Sequence, residues 1–136
     1  MNKKTKIIIS ISIPILIVLI GLFAIYSIFF KIGLDEMRGK GELQETFLSP
    51  DEKYQAEYYL INSGGATNGF QERVSITSLT DNKKKFNDET IYWIYPANEE
   101  IDIKWKNNST IVINEEEIDV NNPDTYYNWR EKEGYQ

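Results

Sequence analysis

Twenty-four consecutive positions, Ile7 to Phe30, carry no charged side chain. At about 1.5 Å per helical residue such a run reaches roughly 36 Å, against a hydrocarbon core of about 30 Å. Nineteen of the 24 residues are aliphatic, aromatic or Ala; Ser10, Ser12, Pro14, Gly21 and Ser27 are the exceptions. Each Leu, Ile, Phe or Val gains about 0.3 to 0.6 kcal/mol on entering the bilayer, so the run favours a transmembrane helix over residues 7–30. It is too long for the core of a secretory signal, and no small-residue cleavage site follows it, so an uncleaved anchor is expected. Lys3, Lys4 and Lys6 cluster in the short flank of residues 1–6, whereas Lys31, Arg38 and Lys40 are spread along the far side. That asymmetry expects a basic cytoplasmic tail and a C-terminal domain outside the cell.

Beyond the span the period changes. Residues 31–45 carry Gly33, Gly39 and Gly41 among alternating charges and read as a linker. Ser49-Pro50-Asp51 is a turn, because Pro fixes φ and the Ser and Asp side chains bond nearby amides. Tyr54, Ala56, Tyr58 and Leu60 then alternate with polar positions, which predicts a strand with one buried face. Asn62 to Phe70 is a Gly-rich loop. Val74 and Ile76 point inward along a second strand, with Arg73, Ser75 and Thr77 outward. Thr80 to Lys85 is a polar hairpin tip.

Thr90 to Tyr95, dense in β-branched and aromatic residues, predicts a central strand that Pro96 ends. Ile101 to Trp105, Thr110 to Asn114 and Glu117 to Val120 read as a meander, with Glu115-Glu116 as a tight turn. Pro123 to Trp129 opens with helix-start character. The expectation is an all-β domain over residues 46–136, an antiparallel meander of about five to six strands. Tyr54, Tyr58, Val74, Ile76, Trp93, Ile103, Trp105, Ile111 and Ile113 are expected in its core.

Charge narrows the partners. From Glu42 onward there are 9 basic and 19 acidic residues, a net charge of −10. So acidic a surface argues against nucleic acid and leaves cationic ligands, divalent metal or a basic partner open. The chain has no Cys and no His, which removes disulfides, thiolate metal sites, and the commonest general base and metal ligand. The paired carboxylates at Glu99-Glu100 and Glu115 to Glu117 lie in turns and face no common cleft. Asp119 to Asp124 offers oxygen ligands but lacks the Gly and distal Glu of an EF-hand, so an Asx-turn is the plainer reading. No catalytic residue, metal ligand or cofactor is expected, and the protein is not expected to be an enzyme. A long loop in a small domain is more often functional than the turns around it. Gly64, Gly65, Ala66, Thr67 and Asn68 therefore form the candidate recognition loop.

Several motifs occur in a distinctive order: Ser-Pro-Asp-x-Lys-Tyr from Ser49 to Tyr54, Gly-Gly-Ala-Thr from Gly64 to Thr67, and Ile-Tyr-Trp-x-Tyr-Pro from Ile91 to Pro96. An Ile-Lys-Trp stretch with Thr-Ile-Val-Ile-Asn follows through Asn114, and then Asp124 to Arg130. With the N-terminal span, this order resembles a small uncharacterised family of single-span membrane proteins from Gram-positive bacteria. The resemblance implies location and topology and carries no functional residues. The function expected is a membrane-anchored extracytoplasmic interaction or accessory module. It would contact the bilayer through residues 7–30 and an unknown protein or envelope partner through the domain. A cation or small-ligand sensor and a cell-envelope hydrolase are the alternatives.

Overall fold

A computed structural model describes residues 1–29, 32–62, 64, 69–80, 85–98 and 100–132. The chain forms two compact units, one ending at Ile32 and the other beginning at Gly33.

The first unit is a single helix, α1 (Lys3–Phe29), with Pro14 inside it. It begins within the basic tail, four residues ahead of the apolar run. Within Lys3–Ile28 an 18-residue stretch has a mean hydropathy of 2.9, and none of that stretch is buried by protein. The helix is long and apolar enough to cross a membrane.

The second unit contains eight strands among the described residues: β1 (Glu42–Leu48), β2 (Tyr54–Asn62), β3 (Phe70–Ser78), β4 (Glu89–Ile94), β5 (Ile103–Trp105), β6 (Thr110–Ile113), β7 (Glu116–Asp119) and β8 (Tyr127–Asn128). They form a five-stranded sheet, β1-β2-β3-β4-β8, and a separate three-stranded sheet, β5-β6-β7. The two share one core. Ala56, Val74, Ile76, Ile91 and Tyr92 from the larger sheet meet Ile103, Ile111, Ile113 and Ile118 from the smaller.

The meander of β5, β6 and β7 is antiparallel as expected, and its second turn, between β6 and β7, is Asn114-Glu115, both at positive φ, one residue earlier than the expected Glu115-Glu116. The Ser49 turn also forms: Tyr54 N–H donates to Ser49 Oγ at 3.1 Å, and Ser49 Oγ–H to Asp51 Oδ1 at 2.8 Å. The domain is mostly β without being strictly all-β. Pro123–Thr125 is a 3-10 turn, capped where Asn122 Oδ1 accepts from Asp124 N–H, and Trp129–Lys132 is a short helix, α2. Strand β8 pairs with β4 in parallel, so the larger sheet is not wholly antiparallel.

The segment expected as linker departs most from expectation. Leu34–Met37 forms a 3-10 turn that packs against β4 with Met37 buried, and β1 starts at Glu42. The reason is Arg73. Its position on β3 faces away from the inter-sheet core, as its alternation suggests, yet the side chain is 0% exposed. Its Nε donates to the Lys40 carbonyl at 2.6 Å, Nη1 to Asp88 Oδ1 at 2.7 Å and Thr90 Oγ1 at 3.2 Å, and Nη2 to Asp88 Oδ2 at 3.1 Å. The guanidinium also stacks 4.0 Å from the Tyr59 ring centroid. Gly39 N–H donates to Asp88 at 2.6 Å, and Arg38 pairs with Glu89 at 2.8 Å. At Gly41, φ is +94° and a Cβ would sit 3.0 Å from the Leu60 carbonyl, so only glycine allows this close entry into β1.

Two expected core residues have other roles. Trp93 is buried on the Arg73 side of the sheet, where its N–H donates to Gln71 at 2.7 Å and its ring meets Trp129 edge-on at 5.6 Å. Trp105 is half-buried and packs against the core, but its N–H donates to the Phe47 carbonyl on β1 at 3.0 Å rather than to its own turn. It thereby ties the small sheet to the outer edge strand of the large one.

Two predictions follow from this packing. Deleting a fully buried ring costs about 3 to 5 kcal/mol, and half burial lowers that to about 2 to 3 for Trp105→Ala. Trp105→Phe keeps most of the ring and loses one hydrogen bond, about 1 kcal/mol. Denaturant unfolding of the chain in micelles ranks the two; equal losses would place the energy in the indole bond alone.

The second concerns Asp88. Burial alone would raise its pKa, but hydrogen bonds from Arg73 and the Gly39 amide, with the charge of Arg73, outweigh it and hold the carboxyl below its ordinary value. A depressed folded pKa contributes stability above the unfolded value near about pH 4, lost as pH falls through the folded one. Breaking a buried pair costs about 3 to 5 kcal/mol, and Asp88 is partly exposed, so Asp88→Asn should lose about 3 at pH 7. Its stability should also fall less than the parent's between pH 5 and pH 2. Parallel pH curves for the two proteins would remove Asp88 from the acid transition.

Candidate functional site

On the core-facing side of β3 the alternation runs Glu72, Val74, Ile76. Val74 and Ile76 meet aliphatic neighbours. Glu72 is 1% exposed and lines a groove of about 450 Å³ with Tyr58, Leu60, Gly69, Phe70, Pro96, Ala97 and Asn98.

Register brings these residues together. Leu60 on β2 lies opposite Glu72 on β3, and Tyr58 opposite Val74, so the phenol reaches back along the strand. Tyr58 Oη–H donates to Glu72 Oε1 at 3.0 Å. On the other wall the chain leaves β4 through a cis Tyr95–Pro96 bond, and Ala97 N–H donates to the Phe70 carbonyl at 2.8 Å. That contact sets Asn98 where its Nδ2 donates to Glu72 Oε2 at 3.3 Å.

The electrostatics are unusual for a buried carboxylate. Among the described residues, no Lys or Arg lies within ion-pair distance of Glu72, and both oxygens rest on neutral donors. Burial, and then the hydrogen bond and charge of Glu72, push the Tyr58 phenol up to about 12. It therefore remains a proton donor throughout the physiological range.

Glu57, on the opposite face, shows the contrast. Its carboxylate accepts from Gln55, Tyr59, Ser75 and Thr77 at 3.0 to 3.3 Å. Four donors from the sheet surface satisfy it, so it serves the sheet. Glu72 has two donors, an apolar-walled groove and, among the described residues, no cation.

The candidate recognition loop is described only at Gly64, which does not line the groove. Gly64 is exposed at φ +80°, with its N–H donating to Asn62 Oδ1 at 3.0 Å. Gly65, Ala66, Thr67 and Asn68 lie outside the described residues. Beyond the candidate residues, Gly69 and Phe70 form one end of the groove. Sequence reasoning named the loop and missed Glu72, Tyr58 and Asn98 as a group. The legible signal was Glu72 at an inward position, in phase with Val74 and Ile76, where a charge conflicts with the period.

The acidic turns form no comparable site. Asp119 Oδ1 accepts from Asn121 N–H at 2.9 Å and Asn122 Oδ1 from Asp124 N–H at 3.2 Å, both Asx-turns. Among the described residues, no group of three or more His, Cys, Asp or Glu side chains could hold a metal ion.

An uncompensated buried carboxylate is a stability cost, and Gln in its place keeps an acceptor for Tyr58. Glu72→Gln should therefore melt no lower than the parent. A fall of more than about 4 °C, roughly 1 kcal/mol for a domain of this size, would mean that the charge itself holds the groove together.

Comparison with known proteins finds no similar curated protein and no similar solved structure. A family model does match, from residue 3 to residue 132. That match takes in both the apolar helix and the groove-bearing domain, and the chain belongs to the DUF5412 family, a family of unknown function.

Proposed function

We propose that this protein is a single-pass, membrane-anchored interaction module that works without catalysis, its domain on the outer face of the cell membrane. The observation that carries the reading is α1: an 18-residue stretch within Lys3–Ile28 has a mean hydropathy of 2.9, and none of that stretch is buried by protein. Water would solvate that surface at a large cost, whereas hydrocarbon accepts it. The resemblance to single-span proteins of Gram-positive bacteria supports the same placement. Lys3, Lys4 and Lys6 support an inward N-terminus. The absence of His and Cys and the open groove at Glu72 support binding over turnover.

Protease added to intact protoplasts tests the placement. With a C-terminal tag as reporter, the domain should be degraded while α1 stays with the membrane pellet after alkaline extraction. Protection of the domain until the membrane is permeabilised would reverse the orientation. Release of the chain by alkaline extraction would overturn the anchor.

A further inference from the structure

We propose that the Glu72 groove receives an aliphatic ammonium group, the end of a lysine side chain presented by a partner polypeptide. The proposal rests on the interaction-module reading above and names the chemistry of its ligand.

Four observations carry it. The first is charge. Glu72 is a carboxylate at 1% exposure with no cation beside it among the described residues, in a domain with a large acidic excess. An approaching cation is drawn to such a surface and completes the buried carboxylate.

The second is valence. Tyr58 Oη–H and Asn98 Nδ2 already donate to the carboxylate. That leaves the free lone pairs of Glu72, the Tyr58 oxygen and the Asn98 side-chain carbonyl as further acceptors among the groove's lining residues. An ammonium has three N–H donors to place.

The third is the walls. Leu60, Phe70, Pro96 and Ala97 offer apolar surface to a methylene stem, the part of a lysine that gains by burial. Phe70 stands 47% exposed among them, an apolar contact for the chain that carries the lysine.

The fourth disfavours a bare metal. Calcium takes six to eight oxygen ligands and magnesium a near-ideal octahedron. One carboxylate with one phenol and one amide falls well short of either.

The test titrates the full chain in micelles with acetyl-Gly-Lys-Gly-amide, its norleucine analogue, cadaverine and calcium ion. The lysine peptide should bind saturably, and the norleucine peptide, which keeps the stem and lacks the charge, at least tenfold more weakly. Glu72→Gln should weaken the lysine peptide at least tenfold with its melting temperature unchanged or raised. Ala97→Phe fills the groove without touching the carboxylate and should abolish binding, so the proposal does not hang on one variant. No saturation by the lysine peptide, or equal affinity for Glu72→Gln, overturns the proposal. Tighter binding of cadaverine than of the lysine peptide overturns the polypeptide source, and displacement by sub-millimolar calcium overturns the ammonium. Should the peptide fail while the protoplast assay places the domain outside, the ligand assignment falls alone. Binding by a domain that the assay finds inside would instead refute the placement.

Discussion

Arg73 puts a full positive charge where no water reaches it, and much of the domain's outer face is arranged to make that possible. An isolated ion in so dry a place is destabilised by several kcal/mol. Four hydrogen bonds and a stacked tyrosine offset the penalty, and they come from three separated parts of the chain. The Lys40 carbonyl supplies one of them, so the segment after α1 must fold onto β4 for the arginine to be satisfied. Gly41 then admits the chain into β1 against the Leu60 carbonyl. Remove the guanidinium and the strand order survives on paper, but the 3-10 turn at Leu34–Met37 is left with the burial of Met37, the Arg38–Glu89 pair and the Gly39–Asp88 hydrogen bond to hold it against the sheet. Replacing the whole Arg73–Asp88 pair by matched apolar side chains could leave stability unchanged, because such pairs often barely repay their desolvation. Their contribution is to where the segment sits.

The three carboxylates that face β2 and β3 rank by how well they are answered. Asp88 has a bidentate cation, Glu57 has four neutral donors, and Glu72 has two. The first two are built into the architecture. Retaining the third at 1% exposure weakens the core beside it, and folding alone gives no reason for it. Sites that bind often carry such a deficit, because groups arranged for a ligand are left incompletely partnered without it.

Period and punctuation made much of this fold legible. The uncharged run from Ile7 announced α1, alternation announced β2 to β4, and the Ser49 turn and the β5 to β7 meander followed local rules. Three things were not local. Residues 34–45 have linker composition, and they fold through distant partners: a charge 33 positions beyond Lys40 that needs its carbonyl, Asp88 and Glu89 beside Gly39 and Arg38, and β2 beside Glu42 onward. Trp93 carries the same apolar signal as Ile91 and Tyr92, yet it serves a second cluster with Trp129, since alternation assigns a face without saying what covers it. Strand β8 has two residues and a parallel partner, too short for any period to show. At the site, loop composition pointed to Gly64–Asn68, whereas the described groove draws on the loop's last two residues and on two strands paired by register.

Glu72 and Arg73 are neighbours on β3 with opposite charges and opposite faces, and that adjacency constrains the strand. Side chains alternate with period two, so a one-residue slip of β3 against β2 would turn Arg73 toward Val74's neighbours in the aliphatic core. Its counter-ion Asp88 would remain on the far side. Glu72 would leave the groove and meet the Tyr59 side, where Glu57 already sits. Either misplacement strands a buried charge, a loss larger than the apolar contacts a slipped register could regain. An aliphatic residue at both positions would make β3 more hydrophobic and less determinate. The two charges therefore fix which face of β3 meets the small sheet. That choice in turn places Glu72 against Tyr58 and Asn98, so register and site depend on the same pair.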